Sequence, residues 1–162
     1  MGIVDSLAAS AATTILYACK NVQMAKGSYL MIHNAWTWAA GDKNELSDTV
    51  KLLTKMDETI AADYAKRSGK SLDEVKAWMD AETWFEASEA VDAGMADLLL
   101  GDDDEPDEDD ALENSFSLDV YNNVPKALKN AQQHRHNEQE LLSQAAINFE
   151  NSQRRLRLLN LC

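Results

Sequence analysis

Apolar residues along the first hundred positions change their spacing in a regular order, with short runs first and a helical period later. Met1 to Val4 is a brief apolar run, and Ile15 to Cys19 continues at helical spacing, so Ser6 to Thr14 is where a short strand turns into a helix. Two more apolar runs follow, Asn21 to Ser28 and Tyr29 to His33, broken at Gly27; both read as buried strands. Asn34 to Gly41, with Trp36 and Trp38 among small residues, reads as a loop or an exposed extended edge. From Asp42 to Ser68 the period lengthens: Leu46, Val50, Leu53, Met56, Ile60 and Tyr64 recur at steps of three and four between charged residues. That spacing predicts one amphipathic helix ending at Gly69, of nearly 40 Å at about 1.5 Å per residue. Such a helix is longer than a small domain needs, and part of it is expected to project toward another subunit.

Ser71-Leu72-Asp73-Glu74 has capping-box spacing and opens a short helix through Val75, Trp78 and Met79, interrupted at Asp80-Ala81-Glu82. Thr83 to Phe85 predicts a strand, and Ala87 to Ala93 a helix capped by Ser88 and stopped at Gly94. Met95 to Leu100 predicts a closing strand. Strands alternating with helices predict an α/β domain over residues 1–101. Residues 102–124 open with a dense acidic run that cannot bury surface and is expected to be a disordered linker. Residues 125–162 read as a helical tail whose leucines lie loosely on one side, suited to a coiled coil or to docking.

Charge sharpens this division. The net charge is −13; residues 1–101 carry 9 bases and 15 acids, residues 102–113 carry 9 acids and no base, and residues 114–162 return +2. Nonspecific binding to nucleic acid or to an anionic membrane needs clustered Lys and Arg, so neither partner is expected. The acidic run lacks the glycine and terminal glutamate spacing of a calcium loop, and His134 and His136 stand two apart, off a shared helix face, so no metal site is expected. Cys19 and Cys162 make no disulfide framework, which suits a reducing cytoplasm. No apolar run approaches membrane-spanning length, and the first residues show no basic stretch leading into an apolar one, so a soluble protein that is not exported is expected.

The candidate chemistry lies at Ser10, a lone hydroxyl among Leu7, Ala8, Ala9, Ala11 and Ala12. At a helix N-terminus, backbone N–H groups are free to polarise an oxyanion, and small neighbours admit a substrate backbone. The bland alternative is a small-residue packing seam, and His33 at a strand end has an equally bland structural reading. Nucleophilic acyl transfer needs a hydroxyl, a base and an orienting carboxylate, and Ser10, His33 and a later acid occur in that order.

Three ordered segments then resemble the Clp protease proteolytic subunit and, more closely, ClpP-like head maturation proteases of tailed phages. They are Leu7-Ala8-Ala9-Ser10-Ala11, Leu30-Met31-Ile32-His33-Asn34, and Ser71 to Asp97 with its Glu89-Ala90-Val91-Asp92-Ala93-Gly94-Met95-Ala96-Asp97. The resemblance spans roughly residues 3–100. It implies a ClpP/crotonase-type fold of repeated β-β-α units stacked in a superhelix, and a serine endopeptidase with Ser10 as nucleophile, His33 as base and the Ala11 amide as an oxyanion donor. Ungapped matching puts the third member on Glu82, with Asp80 two residues earlier as rival. It also implies no cofactor, a homo-oligomeric ring joined through helix 42–68, a capsid or scaffold protein as substrate, and action in the host cytoplasm or assembling phage heads. Two tryptophans stand in 34–41 where glycine-rich sequence is usual. Family members carry further β-β-α units and a glycine pair before the nucleophile. The chain is therefore expected to lack an N-terminal part of the fold and to work alone, with an upstream companion chain as half of a split protease, or as an inactive scaffolding fragment. A crotonase-type acyl-CoA enzyme shares the architecture without needing this Ser and His pair.

Overall fold

The computed structural model describes residues 1–101 and 117–159; the acidic run lies outside them, as do Cys162 and the side chains of His134 and His136. Two compact units divide the chain, Met1–Asn123 and Val124–Cys162. In the first, consecutive strands go to different sheets. β1 (Gly2–Val4), β3 (Val22–Met24) and β6 (Leu98–Leu99) form a parallel sheet in the order β1-β3-β6. β2 (Leu7–Ala9), β4 (Tyr29–Ile32) and β5 (Thr83–Glu86) form the second, in the order β2-β4-β5, parallel at the first pairing and antiparallel at the next. Each strand pair is followed by a helix, α1 (Ala11–Leu16) after the first and α2 (Lys43–Ser68) after the second. The architecture is thus the expected α/β arrangement of β-β-α units.

All four residues of β4 are buried, which explains why the strand reads as an unbroken apolar run instead of alternating. Val22, Met24, Leu30 and Ile32 join Ala61, Tyr64, Val75, Met79 and Met95 in one core. α2 is capped as its sequence demands. The Asp42 side chain accepts from the N–H groups of Asn44 and Glu45, Glu45 reaches back to the Asp42 N–H, and Gly69 closes the helix at φ 71°. Its C-terminal half is anchored: Tyr64 bonds Thr13 of α1 at 2.6 Å, and Arg67 lies over Tyr17 and pairs with Asp97, which also accepts the Val22 N–H. Its N-terminal half leaves Leu46, Val50, Leu52 and Met56 exposed.

Three expectations need correction. Ser71 caps α3 (Leu72–Asp80) through the Glu74 N–H, but Glu74 turns to Lys70 and does not complete a capping box. The helix α4 (Ala87–Asp92) begins two residues earlier than a Ser88 cap requires: Glu86 is its N-cap and Glu89 accepts the Glu86 N–H at 2.9 Å, leaving Ser88 within the first turn. The closing strand shrinks to Leu98–Leu99, because the N–H groups of Met95 and Ala96 turn back to the Ala90 carbonyl around Gly94 instead of joining the ladder.

Residues 117–123, placed in the linker by composition, belong to the first unit. In the second, α5 (Lys126–Leu159) forms the tail helix and exposes Leu141, Leu142, Ile147 and Phe149.

Gly69 and Gly94 both adopt positive φ, at 71° and 76°, but in different surroundings. A Cβ on Gly69 meets open space, whereas one on Gly94 falls 2.5 Å from the Ser68 carbonyl oxygen. Gly69→Ala is therefore expected to cost about 1–2 kcal/mol from left-handed strain alone. Gly94→Ala should cost clearly more, since backbone must move. Urea unfolding of both variants measures the difference, and equal shifts in midpoint would contradict the clash.

Candidate active site

The site follows from strand register. Ala9 pairs with Met31 between parallel β2 and β4, so the chain leaves both strands at the same end of the sheet, Ser10 from one and His33 from the other. Ile32 pairs with Thr83 across antiparallel β4 and β5, and one further step along that register sets Glu82 opposite His33. Three residues far apart in sequence therefore meet at one corner.

Ser10 sits between β2 and α1 at φ 54°, ψ −121°. Side chains seldom tolerate that region, and the conformation persists because both sides of the residue are tied. Its N–H donates to the Met31 carbonyl, and its carbonyl accepts from the N–H and hydroxyl of Thr13, which is itself fully buried. A tight strand-to-helix turn of this kind pushes the hydroxyl outward. The Ser10 Oγ lies 2.8 Å from His33 Nε2. Ala11 opens α1, and its N–H is among the first four of the helix, which have no intrahelical acceptor.

Burial lowers the His33 pKa from its ordinary value, and the nearby carboxylates of Glu82 and Asp57 partly oppose that shift. The neutral imidazole is thus the favoured form near pH 7. Glu82 is buried, at 8% exposure, and is also in the left-handed region, at φ 51°. Among the described residues, Ser10 and Glu82 are the two non-glycine positions with positive φ. Burial alone would raise the Glu82 carboxyl. The N–H groups of Asn122 and Asn123, the Trp84 indole and His33 outweigh that and hold it below its ordinary value.

Of the two rival acids, Asp80 turns aside and accepts from Asn34 Nδ2 at 2.7 Å. Glu82 carries the Coulombic influence on His33. Two contributors were not legible beforehand. Asp57, which also accepts the Ala35 N–H at 2.7 Å, is a half-buried acid on the inward side of α2, at helical spacing from Leu53, Ile60 and Tyr64. Tyr121 packs edge-on against both His33 and Trp84 from a segment that composition assigns to a linker. An aromatic followed by two asparagines after an acidic run was the available signal.

The loop Asn34 to Gly41 runs beside His33 and leaves Trp38 92% exposed. Among the described residues, no cluster of His, Cys, Asp and Glu is arranged to hold a metal ion, and no helix is long and apolar enough to cross a membrane.

The family model for Clp protease matches residues 2–103. ATP-dependent Clp protease proteolytic subunits from two strains of Bacteroides fragilis are each 33% identical to this chain over 100 residues. Those matches take in 60% of this chain and 48% and 46% of the relatives, so the chain spans about half the length of the curated relatives it matches.

The lowered His33 pKa has a consequence for stability. Between the folded and unfolded values the unfolded chain binds more protons, so this group's contribution is complete above about pH 6.5 and is lost as pH falls through the folded value. Unfolding free energy is expected to decline over that window in the parent and to decline less in His33→Gln; denaturant titrations at fixed pH steps would reveal a parallel decline if His33 were not its source. Glu82→Gln removes a charge that raises His33, and the imidazole should then titrate lower still by NMR.

Proposed function

Because the chain belongs to the Clp protease family, we propose that it is a serine endopeptidase in which Ser10, His33 and Glu82 act in sequence on a peptide bond. The observation that carries this reading is the 2.8 Å contact between the Ser10 hydroxyl and His33 Nε2 at a strained strand-to-helix turn. With the imidazole proton on Nδ1, Nε2 takes the Ser10 proton as Oγ bonds to the substrate carbonyl carbon. The resemblance assigns the Ala11 N–H, at the start of α1, as one donor to the developing oxyanion. The imidazolium, stabilised by the charges of Glu82 and Asp57, passes its proton to the departing amine as the peptide bond breaks. Water, deprotonated by the same imidazole, then releases the acyl group and restores Ser10. None of these steps requires a cofactor.

The finer reading is a head maturation protease acting on capsid or scaffold protein in the cytoplasm of a phage-infected cell. Its support is the resemblance of the three ordered segments to that group. In this reading the exposed apolar side of α2 joins subunits into a ring. Incubation with co-expressed capsid or scaffold protein tests it: shortened products should appear with the parent and be absent with Ser10→Ala.

A second reading rests on a separate observation, the exposed Leu46, Val50, Leu52 and Met56 of α2. The chain would then serve in assembly without catalysis. Association that survives Ser10→Ala and His33→Ala, together with no fluorophosphonate labelling of the parent even beside a companion chain, favours this alternative.

Under the peptidase reading, a fluorophosphonate labels Ser10, Ser10→Ala abolishes the label, and His33→Ala slows it by about 10³-fold or more. Glu82→Gln should cost about 10²–10⁴ in rate while Asp80→Asn stays near the parent; losses in neither variant would remove the carboxylate from the scheme.

A further inference from the structure

The Glu82 carboxylate accepts its hydrogen bonds largely from a segment beyond residues 2–103, the stretch matched to the family. Oε1 accepts the Asn123 N–H at 2.7 Å and the Trp84 indole at 3.3 Å. Oε2 accepts the Asn122 N–H at 3.0 Å and Asn122 Nδ2 at 3.4 Å. Asn123 Nδ2 donates to the Ala81 carbonyl at 2.8 Å, so the same segment also holds the backbone just before the acid. The Tyr121 ring stands edge-on to His33 at 5.7 Å between centroids and to Trp84 at 5.6 Å.

We propose that Tyr121, Asn122 and Asn123 are positioning residues of the Ser10–His33–Glu82 site, forming a strap that fixes the acid through its two oxygens and the imidazole through its ring. The inference rests on the peptidase reading for its effect on rate, while its geometric content stands apart from that reading.

A buried carboxylate needs donors, and a non-glycine residue at positive φ persists where its surroundings hold it. The strap provides both by bonding the side chain of Glu82 and the carbonyl preceding it. The imidazole is constrained in turn. Ser10 holds Nε2, Tyr121 packs on the ring, and the charged groups facing it are Glu82 from the start of β5 and Asp57 from α2. Covering the ring keeps His33 neutral and ready to accept a proton. Binding Glu82 with neutral donors keeps it ionised beside that ring.

The full-length chain tests this with two readouts, NMR titration of the His33 imidazole and the rate of fluorophosphonate labelling at Ser10. In Tyr121→Ala the ring is uncovered, so the His33 titration should move up toward its ordinary value and labelling should slow by about ten- to a hundredfold. Tyr121→Phe keeps the edge contact and should restore both. Asn123→Pro removes one N–H from Oε1, and should raise the titration of the Glu82 carboxyl, followed by carbon NMR, and slow labelling. If that variant does not fold, the Tyr121 pair decides. An unmoved His33 titration in Tyr121→Ala, or labelling as fast as or faster than the parent, overturns the strap. A parent chain that shows the titration shifts but never labels would defeat the peptidase reading and leave the strap in place.

Discussion

The structure depends on where β4 lies. It is buried along its whole length, paired in parallel with β2 on one side and antiparallel with β5 on the other. Side chains on both of its faces are packed, so a one-residue slip would exchange every inward contact with its opposite. Register is therefore firmly set, and with it the corner where Ser10, His33 and Glu82 meet. Parallel pairing puts Ser10 and His33 at the same end of the sheet, and antiparallel pairing returns the chain to that end with Glu82.

At that corner, conformational strain and burial act together. Ser10 and Glu82 are both held at positive φ, Ser10 by backbone bonds to Met31 and Thr13, and Glu82 by its own N–H on the Met79 carbonyl and the Asn123 side-chain amide on the Ala81 carbonyl. The imidazole between them loses charge because it is partly removed from water, while the two facing carboxylates pull in the other direction. Burial is the larger effect, and a neutral imidazole beside a presented hydroxyl is the result. The acid stays ionised for a different reason: its hydrogen-bond donors outweigh its own burial.

α2 serves two ends at once. Its C-terminal half is tied down by Tyr64, by Arg67 with Asp97, and by the close passage of Gly94 under Ser68. That ties α1, and hence the turn carrying Ser10, to the core. The N-terminal half has good caps and an apolar side with no cover within the first unit's core, so its helix stands on local propensity and capping instead of burial.

Much of this was present in the order of residues. Apolar runs marked β3 and β4, the three-and-four period with Asp42 and Gly69 marked α2 nearly to its ends, and Ser10, His33 and a later acid in that order pointed to one kind of chemistry. These signals are local, because caps, periods and turn glycines act within a few residues. Local rules placed the cap of α4 at Ser88 and drew a six-residue closing strand. The fold moved the first to Glu86 and shortened the second, since the Ala90 carbonyl captured the N–H groups of Met95 and Ala96. Choosing Glu82 over Asp80 beside the imidazole, bringing Asp57 toward it, and laying Tyr121, Asn122 and Asn123 across the site were all decided by tertiary structure. Each depends on which groups face one another across 24 to 88 positions of chain, and no periodicity within a single element encodes that meeting.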